Sequence, residues 1–286
     1  MLARMAQAPR TALVFGGTGQ IGAAVLARLQ ATGWRVLALS RQPRPDGEGL
    51  SWLRGDFEAM PALPDAVDAL VSCGPLDLFA RWFARAPLAV ARVVAFGSTS
   101  VHVKQDSSDP FERDLARRLR EAEGSLFARA PGATLLRPTL VYGAGRDATL
   151  TRMVAIARRL GVLPLPSGAR GLRQPVHVDD LANAALAALQ VPDAGGHAYD
   201  LPGGETLDYR AMVERTLAAS VPGTRVVALP MPLYRGAMGG LRLAGLARGL
   251  GDAVILRMRE DLVFDDGPAR RDLGYRPRAF DPGPPR

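Results

Sequence analysis

The chain contains very little cysteine, lysine and histidine. The scarcity of cysteine argues against a disulfide-bonded protein, and the scarcity of histidine argues against a metal site. One of its 286 residues is cysteine (Cys73), and every basic residue except Lys104 is arginine. A single cysteine excludes an internal disulfide and suits a reducing compartment, so we expect a cytoplasmic location. The three histidines, His102, His177 and His197, lie far apart in sequence and lack metal-site spacing. We therefore expect no bound metal.

The chain also lacks long basic runs and long uninterrupted apolar runs. The net charge is +8, but the arginines are scattered, which indicates a compositional bias rather than a nucleic-acid arm. The apolar stretch 226–246 is interrupted by two prolines and two arginines, so it does not predict a membrane span. Residues 1–10 have no apolar core of the kind found in export signals. We expect neither a nucleic-acid nor a membrane partner.

The stretch from Ala12 to Gly22 organises the rest of the chain. An apolar run that predicts a buried strand is followed by Gly16, Gly19 and Gly22, and helical periodicity begins at Ile21. The first N–H groups of a helix have no internal partner and attract an anion, and glycines let a pyrophosphate approach closely. This order of elements predicts a dinucleotide-binding turn. The residues predicted to hold the cofactor here are Gly16, Thr18, Gly19, Gln20, Ile21 and Gly22.

Strands and helices alternate through the first half of the chain. Strands are predicted at 34–39, 51–54, 68–72, 92–96 and 133–136, with helices at 76–85 and 111–130. Such alternation is typical of an α/β fold with a doubly wound parallel sheet, in which ligands bind at the carboxyl ends of strands. Later residues predict helices at 149–160 and 209–219, a loop at 161–173 and a strand at 198–201. The segment 177–182 is predicted to lead into a helix that ends at Leu189. Beyond these we expect helical pieces and loops without another full sheet.

Four segments carry a resemblance to a known family. Residues 16–22 (GGTGQIG) resemble the fingerprint of the extended short-chain dehydrogenase/reductases, the NAD-dependent epimerase/dehydratase family. Residues 136–143 (LRPTLVYG), 176–182 (VHVDDLA) and 199–205 (YDLPGGE) resemble later segments of that family. The resemblance implies a Rossmann domain made of residues 1–145 and 175–202. It also implies a small substrate or lid subdomain made of residues 146–174 and 203–286.

The residues after the second strand bear on the choice of cofactor. NAD sites usually carry an acidic residue about 20 residues after the glycines, whereas an arginine there accommodates the 2′-phosphate of NADP. Here Ser40 and Arg41 end the strand, and the first acidic residue that follows is Asp46. Arg41 offers a planar set of donors for phosphate, and Ser40 adds a hydroxyl. This favours NADP over NAD, although Arg41 as a solvated loop arginine remains the alternative.

The resemblance assigns further cofactor contacts. It implies that Asp56 accepts from the adenine amino group with Phe57 beside it, and that Cys73 and Gly74 lie under the adenosine ribose. Pro138, in the segment after the sixth strand, also belongs to the implied cofactor site. From the residues alone, Asp56 is equally a turn former and Cys73 a small buried apolar residue.

The predicted catalytic residues depart from the family pattern. Active members use a Ser or Thr after the fifth strand, and a Tyr and a Lys on the next helix with three residues between them. Ser98 falls on the Ser/Thr position. The next helix contains no Tyr: one register puts Arg113 and Arg117 at the Tyr and Lys positions, and another puts Phe111 and Leu115 there. Arg117 can still hold a ribose hydroxyl or a phosphate, but an arginine cannot act as an acid. The resemblance therefore implies an atypical member that lacks the usual proton donor.

Three positions offer a substitute donor. Histidine is a common proton donor in enzymes, and the resemblance puts His102 near the nicotinamide edge, although a lone histidine there is more often a structural hydrogen-bonding residue. Tyr142 follows the sixth strand and is alternatively a half-buried pocket wall. Asp179 and Asp180 most simply cap the following helix.

Two functions of different classes follow. The first is an NAD(P)-dependent oxidoreductase or epimerase/dehydratase-like enzyme that acts on a small carbonyl or hydroxyl compound or a nucleotide sugar. The second is a non-catalytic NADP(H)-binding sensor or assembly protein, which the missing tyrosine favours. Either function is compatible with a monomer or a homodimer.

Overall fold

The computed structural model describes residues 9–145, 147, 149–243 and 252–283. The expectation about an export signal falls largely on residues 1–8, which lie outside this description. In the described ranges no helix combines the length and apolar character needed to cross a membrane.

The described strands and helices alternate through the first half of the chain, as predicted. The strands are β1 (Thr11–Phe15), β2 (Arg35–Ser40), β3 (Leu50–Arg54), β4 (Ala66–Ser72), β5 (Ala89–Phe96), β6 (Thr134–Pro138), β7 (Val141–Tyr142), β8 (Val162–Pro166), β9 (Leu172–Arg173), β10 (Val176–His177), β11 (Ala198–Leu201), β12 (Leu207–Asp208) and β13 (Arg225–Leu229). The helices are α1 (Gln20–Ala31), α2 (Leu76–Phe83), α3 (Ser100–Val103), α4 (Pro110–Arg129), α5 (Leu150–Leu160), α6 (Val178–Gln190), α7 (Tyr209–Ser220), α8 (Met231–Leu243), α9 (Asp252–Arg257) and α10 (Gly267–Leu273).

A parallel sheet forms the centre of the described molecule and has seven strands in the order β11-β6-β5-β4-β1-β2-β3. In β1, Leu13 lies opposite Leu37 of β2 on one side and Leu70 of β4 on the other. The chain runs outward from β1 to β3 and then crosses back to β4, so the strand order reverses beside β1. This confirms the predicted α/β doubly wound fold, and it puts a ligand crevice at the carboxyl ends of β1 and β4.

Each face of the sheet is buried against helices. Alternate residues of β1 point to opposite faces: Val14 belongs to the apolar cluster that includes α1 and α6, and Leu13 to the cluster that includes α2 and α4. Phe79 and Leu126 are completely buried in the second cluster. Burial on both faces explains why the strands are near-continuous apolar runs in the sequence.

The second half adds small sheets that sequence patterns did not predict. Residues 161–173, predicted as a loop, contain β8 and β9, and β8 pairs in parallel with β13. Pro164 and Pro166 have no backbone N–H to donate across a sheet, so the sequence of β8 does not resemble that of an ordinary strand. A strand that pairs on one side only tolerates such prolines. The start of α6 also differs from the prediction: His177, not Asp179 or Asp180, caps the helix, because its Nδ1 accepts from the N–H of Asp179 at 3.1 Å.

Candidate functional site

The glycine turn after β1 has the geometry that its sequence predicts. Gly16 has φ +72°, a conformation that favours glycine, and its carbonyl accepts from the N–H of Gly19 at 2.9 Å. A Cβ on Gly22 would lie 2.1 Å from the Gly16 oxygen, so only glycine fits there. Gly19 precedes α1, whose first turn has neither a side-chain cap nor an acidic residue. The N–H groups of that turn therefore suit an anion.

The turn also contacts the end of β4. A Cβ on Gly16 would lie 2.6 Å from the nitrogen of Gly74 and 2.7 Å from the carbonyl carbon of Cys73. Burial raises the pKa of the Cys73 thiol, so this group is neutral and unreactive. In the same turn, Gln20 has a buried Oε1 without a hydrogen-bond partner among the described residues. This backbone cradle and orphaned acceptor fit a dinucleotide, and the crevice lies at the sheet edge where the strand order reverses.

Other residues predicted to bind the cofactor follow β2 and β3. Ser40 is buried, and its Oγ accepts from the N–H of Gln42 at 3.3 Å, while Arg41 is exposed beside it. Asp56 Oδ1 accepts from the N–H groups of Ala59 and Glu58 at 2.8 and 2.9 Å. These bonds, with a smaller effect from the Arg41 charge, lower the pKa of Asp56. The Asp56 carboxylate thus stabilises a local turn, which is the alternative that the sequence left open to a contact with the adenine amino group.

Phe57 is adjacent to Asp56 and packs against β1, the strand that precedes the glycine turn. Its ring centroid lies 5.2 Å from that of Phe15, the last residue of β1. The structure therefore brings Ser40, Arg41, Asp56 and Phe57 to the same sheet edge as the glycine turn, while their individual roles stay predictions.

A cavity of 470 Å³ opens beside the carboxyl ends of β5 and β6. Ser98, Thr99 and Ser100 line it on the sheet side, and residues of α5, β8, α7, α8 and α9 line it from the second half of the chain. Its polar and charged lining residues include Ser98, Thr99, Ser100, Lys104, Glu112, Thr139, Arg152, Arg173, Gln174, Tyr209, Tyr234 and Arg257.

One carboxylate in this cavity contacts two cations. Glu112 accepts from the Arg257 guanidinium and from the Ser107 hydroxyl, the latter at 2.7 Å, and its Oε1 lies 3.7 Å from Lys104 Nζ. Burial raises the pKa of Glu112, but Ser107, Arg257 and Lys104 together outweigh that effect and lower it. Glu112 is therefore ionised at neutral pH and does not act as an acid there.

The cavity lining has an excess of positive charge. Among the described lining residues, Lys104, Arg152, Arg173 and Arg257 are basic and Glu112 is the one acidic residue. Arg173 is held in place: it donates to three backbone carbonyls, and its guanidinium carbon lies 5.1 Å from the centroid of the Tyr209 ring. Such a lining favours a ligand that carries negative charge. None of these four basic residues was predicted from the sequence to line a substrate cavity. Lys104 nevertheless stands out in the sequence, because it is the one lysine of the chain.

Ser98 is the predicted catalytic residue that the structure brings to the cavity. Its Oγ accepts from the N–H of Ser100 at 3.1 Å. Pro138 supports the same turn, because its carbonyl accepts from the Thr99 hydroxyl at 3.2 Å. Thr139, the residue after Pro138, also lines the cavity.

His102 and Tyr142 lie outside the described cavity lining. The His102 Nε2 is 3.2 Å from Oδ1 of Asp200, an atom that Arg137 also approaches at 3.7 Å. Tyr142 is buried: its hydroxyl donates to the carbonyl of Ala279 at 3.3 Å and accepts from Asp281, and burial raises its pKa. The hydrogen bonds of both residues are made to groups outside the cavity lining, although the His102 ring lies 6.1 Å from the ring of Phe264, a lining residue. Their catalytic roles stay predictions.

Arg117 lies on the surface of α4. It donates to Asp114 at 2.5 Å and to Glu121 at 2.7 Å, and these hydrogen bonds raise its pKa. Its side chain is not part of the described cavity lining. Its predicted contact with the cofactor would require the guanidinium to leave these carboxylates.

Comparisons with known proteins agree with the fold and the glycine turn. The sequence model of the NAD dependent epimerase/dehydratase family matches residues 12–74 and 126–201. The 2-alkyl-3-oxoalkanoate reductase of Stenotrophomonas maltophilia (strain K279a) is 26% identical over 319 aligned positions, which cover 93% of this chain and 94% of that protein. The uncharacterized protein y4nG of Sinorhizobium fredii is 29% identical over 144 residues, half of this chain and 36% of that protein. The chain thus matches only about a third of that relative's length.

Among solved structures, MoeE5 in complex with UDP-glucose and NAD superposes with a TM-score of 0.69 at 20% identity, covering 94% of both chains. The dinucleotide cradle, the sheet order and the two matched segments thus agree with one another, and the cofactor is a nicotinamide dinucleotide. The chain belongs to the NAD-dependent epimerase/dehydratase family, and its similarity to a reductase supports the prediction of an NAD(P)-dependent oxidoreductase or epimerase-like enzyme.

Proposed function

We propose that this chain is an NADP(H)-preferring oxidoreductase whose substrate is a small carbonyl or hydroxyl compound with an anionic group. The observation that carries this proposal is the cavity beside the glycine-turn edge, lined by Ser98 and by an excess of cations. Its 470 Å³ volume suits a small molecule.

The cofactor is assigned to residues at the carboxyl edge of the sheet. The N–H groups at the start of α1 suit the pyrophosphate, with Gly16, Gly19 and Gly22 allowing its close approach. Ser40 and Arg41 supply donors for a 2′-phosphate, which supports NADP over NAD. Residues assigned to the adenosine and to the remaining contacts are Thr18, Gln20, Ile21, Asp56, Phe57, Cys73, Gly74, Arg117 and Pro138. When bound, the nicotinamide supplies hydride transfer.

The substrate is assigned to the cavity. Ser98 Oγ accepts from the Ser100 N–H, so its own O–H remains to donate to a substrate oxygen that gains negative charge. Arg152 and Arg257 provide donors for a carboxylate or phosphate elsewhere on the substrate, and the buried charge of Arg173 adds to the positive potential of the cavity. This division of roles orients the reacting oxygen toward the sheet side and the anionic group toward the second half of the chain.

The alternative is a non-catalytic NADP(H)-binding sensor or assembly protein. The observation that favours it is the sequence of α4, which contains neither tyrosine nor lysine. An oxidoreductase without that pair needs another proton source, whereas a sensor needs none.

One assay separates these functions. Consumption of NADPH is followed with paired carbonyl compounds that differ in one group, such as a 3-oxo acid and its methyl ester. We expect consumption with the acid and weaker consumption with the ester, because the ester lacks the negative charge. Equal rates for acid and ester would remove the anionic requirement. NADPH binding without consumption for any carbonyl would favour the sensor.

A further inference from the structure

The one lysine of the chain lines the cavity. Lys104 follows α3 on the sheet side, near Ser98 and Ser100, and its side chain is 22% exposed. All other basic residues are arginine, including Arg152, Arg173 and Arg257 in the same cavity. The two residue types differ in one chemical respect that matters here: an arginine keeps its proton in proteins, whereas a lysine amine can release one.

The charged groups around Lys104 come from two elements, the start of α4 and the end of α9. Glu112 lies on α4, Asp109 caps the start of α4, and Arg257 ends α9. Burial lowers the pKa of Lys104 and the Arg257 charge lowers it further, while Glu112 and Asp109 oppose these effects only in part. The ammonium group is therefore a stronger acid than a solvated lysine.

We propose that Lys104 donates the proton to the substrate oxygen in this cavity, in the role that the family's tyrosine fills in other members. This inference rests on the proposed function. When bound, the reduced nicotinamide would supply a hydride, and thus two electrons, to the carbonyl carbon, whose C–O π bond would break toward oxygen, leaving the nicotinamide oxidised. That oxygen would take a proton from the Lys104 ammonium to form the alcohol, and the neutral amine would regain a proton from solvent.

Other cavity groups are less suited to this transfer. Glu112 is ionised, and the arginines retain their protons. Tyr209 and Tyr234 line the cavity from α7 and α8, in the second half of the chain, and burial raises the pKa of Tyr209. Lys104 instead follows β5, on the sheet side where the cofactor edge lies.

The uniqueness of Lys104 allows a direct measurement of its acidity. Protein grown with isotope-labelled lysine gives one side-chain amine signal in NMR spectra, and Lys104→Met identifies it by its loss. We expect this signal to titrate at lower pH in the folded protein than in urea. Glu112→Gln should lower the midpoint further and Arg257→Gln should raise it. Identical midpoints in folded and unfolded protein would overturn the proposal.

A second experiment separates proton transfer from simple charge. Lys104→Arg keeps the positive charge but retains its protons at neutral pH, and Lys104→Met has neither a charge nor an acidic proton. We expect both variants to lose roughly 10²-fold or more in kcat, the usual contribution of a positioned acid. Both should keep the NADPH affinity of the unsubstituted protein, measured by calorimetric titration. Tyr209→Phe and Tyr234→Phe serve as comparison variants and should lose less in kcat.

The outcomes are distinguishable. If Lys104→Arg retains full kcat, Lys104 is only an anchor for a negative group, and the proton-donor proposal is wrong while the proposed function stands. If the unsubstituted protein binds NADPH but reduces no carbonyl compound, the proposed function itself is wrong and the transfer from Lys104 is wrong with it.

Discussion

The carboxylate of Asp180 binds Arg278 through both the backbone and the side chain. Its Oδ2 accepts from the N–H of Arg278 at 3.0 Å, and its Oδ1 accepts from the guanidinium at 2.9 Å. Asp180 is 6% exposed at the start of α6, whereas the Arg278 side chain is 44% exposed. The pair therefore connects a buried position beside the central sheet to the C-terminal segment 275–281.

Asp180→Asn should destabilise the protein. The substitution removes the charge that two donors of Arg278 share, and we expect the free energy of unfolding to fall by about 1–3 kcal/mol. Asp179→Asn is the matched control, because Asp179 is more exposed and lies 3.9 Å from the same guanidinium. Its effect should stay below about 1 kcal/mol. Urea denaturation measures both, and equal losses would contradict a special role for Asp180.

Gly19→Val should abolish nucleotide binding in a folded protein. A Cβ at Gly19 has one near neighbour, the Gly16 oxygen at 3.2 Å, which would have to move by only a few tenths of an ångström. The added methyl groups would occupy the approach of the pyrophosphate. Gly22→Ala is the contrasting variant, because its Cβ would lie 2.1 Å from the Gly16 oxygen and should also destabilise the turn. Calorimetric titration with NADPH measures binding, and unchanged affinity in folded Gly19→Val would make Gly19 structural only.

Arg41→Asp should weaken NADPH binding far more than NADH binding. If a charged hydrogen bond to the 2′-phosphate is lost, the difference should be about 1.5–3 kcal/mol. Arg44→Asp is the matched control: it makes the same change of charge in the same loop, where Arg44 stacks over the Trp52 ring. Titration of each variant with both nucleotides is the measurement. Equal losses of affinity for NADPH and NADH would show that Arg41 does not contact the 2′-phosphate and is a solvated loop arginine.

Glu112 should stabilise the fold at neutral pH but not in acid. Its pKa in the folded protein lies below the ordinary value of 4.5, so the ionised form is favoured by folding. That contribution is fully present above pH 4.5 and is lost as the pH falls through the lower, folded-state pKa. The stability difference between the unsubstituted protein and Glu112→Gln should therefore shrink on acidification. A difference that stays constant from neutral pH into acid would contradict the shift.

His102→Gln tests the remaining sequence prediction for a proton donor. If His102 donates the proton, its loss should cost roughly 10²-fold or more in turnover. NADPH affinity should hardly change. If His102 instead supports Asp200, turnover should be kept and thermal stability should fall. Ser98→Ala in the same assay should slow turnover by removing a hydrogen bond to the developing alkoxide.

Local patterns were sufficient to predict the first half of the fold. Apolar runs mark the strands and helical periodicity marks the helices, and both patterns are visible within short stretches of the sequence. The predicted bounds of these elements differ from the observed ones by only a few residues. Strands β8 and β13 were missed because neither is stabilised locally: Val162 of one pairs with Arg225 of the other. Such pairing depends on the tertiary structure, which no short window of sequence contains.

The candidate site was predictable only in part for the same reason. The glycine turn and Ser98 carry short motifs, so sequence reasoning found them. Glu112 and Arg257 are 145 residues apart and meet only in the folded chain. The same holds for His102 and Asp200, which are 98 residues apart.

The C-terminal segment 275–281 also bears on the order in which the molecule can form during synthesis. Tyr275 donates its hydroxyl to the carbonyl of Pro202 at 2.8 Å, and the N–H of Phe280 donates to Glu205 at 3.1 Å. Ribosomes deliver the chain from its N-terminus, and early segments fold first. The central sheet can therefore assemble while Asp180, Pro202 and Glu205 still await partners that have not been translated. The contacts of these three residues are consequently completed only after the segment 275–281 has been translated.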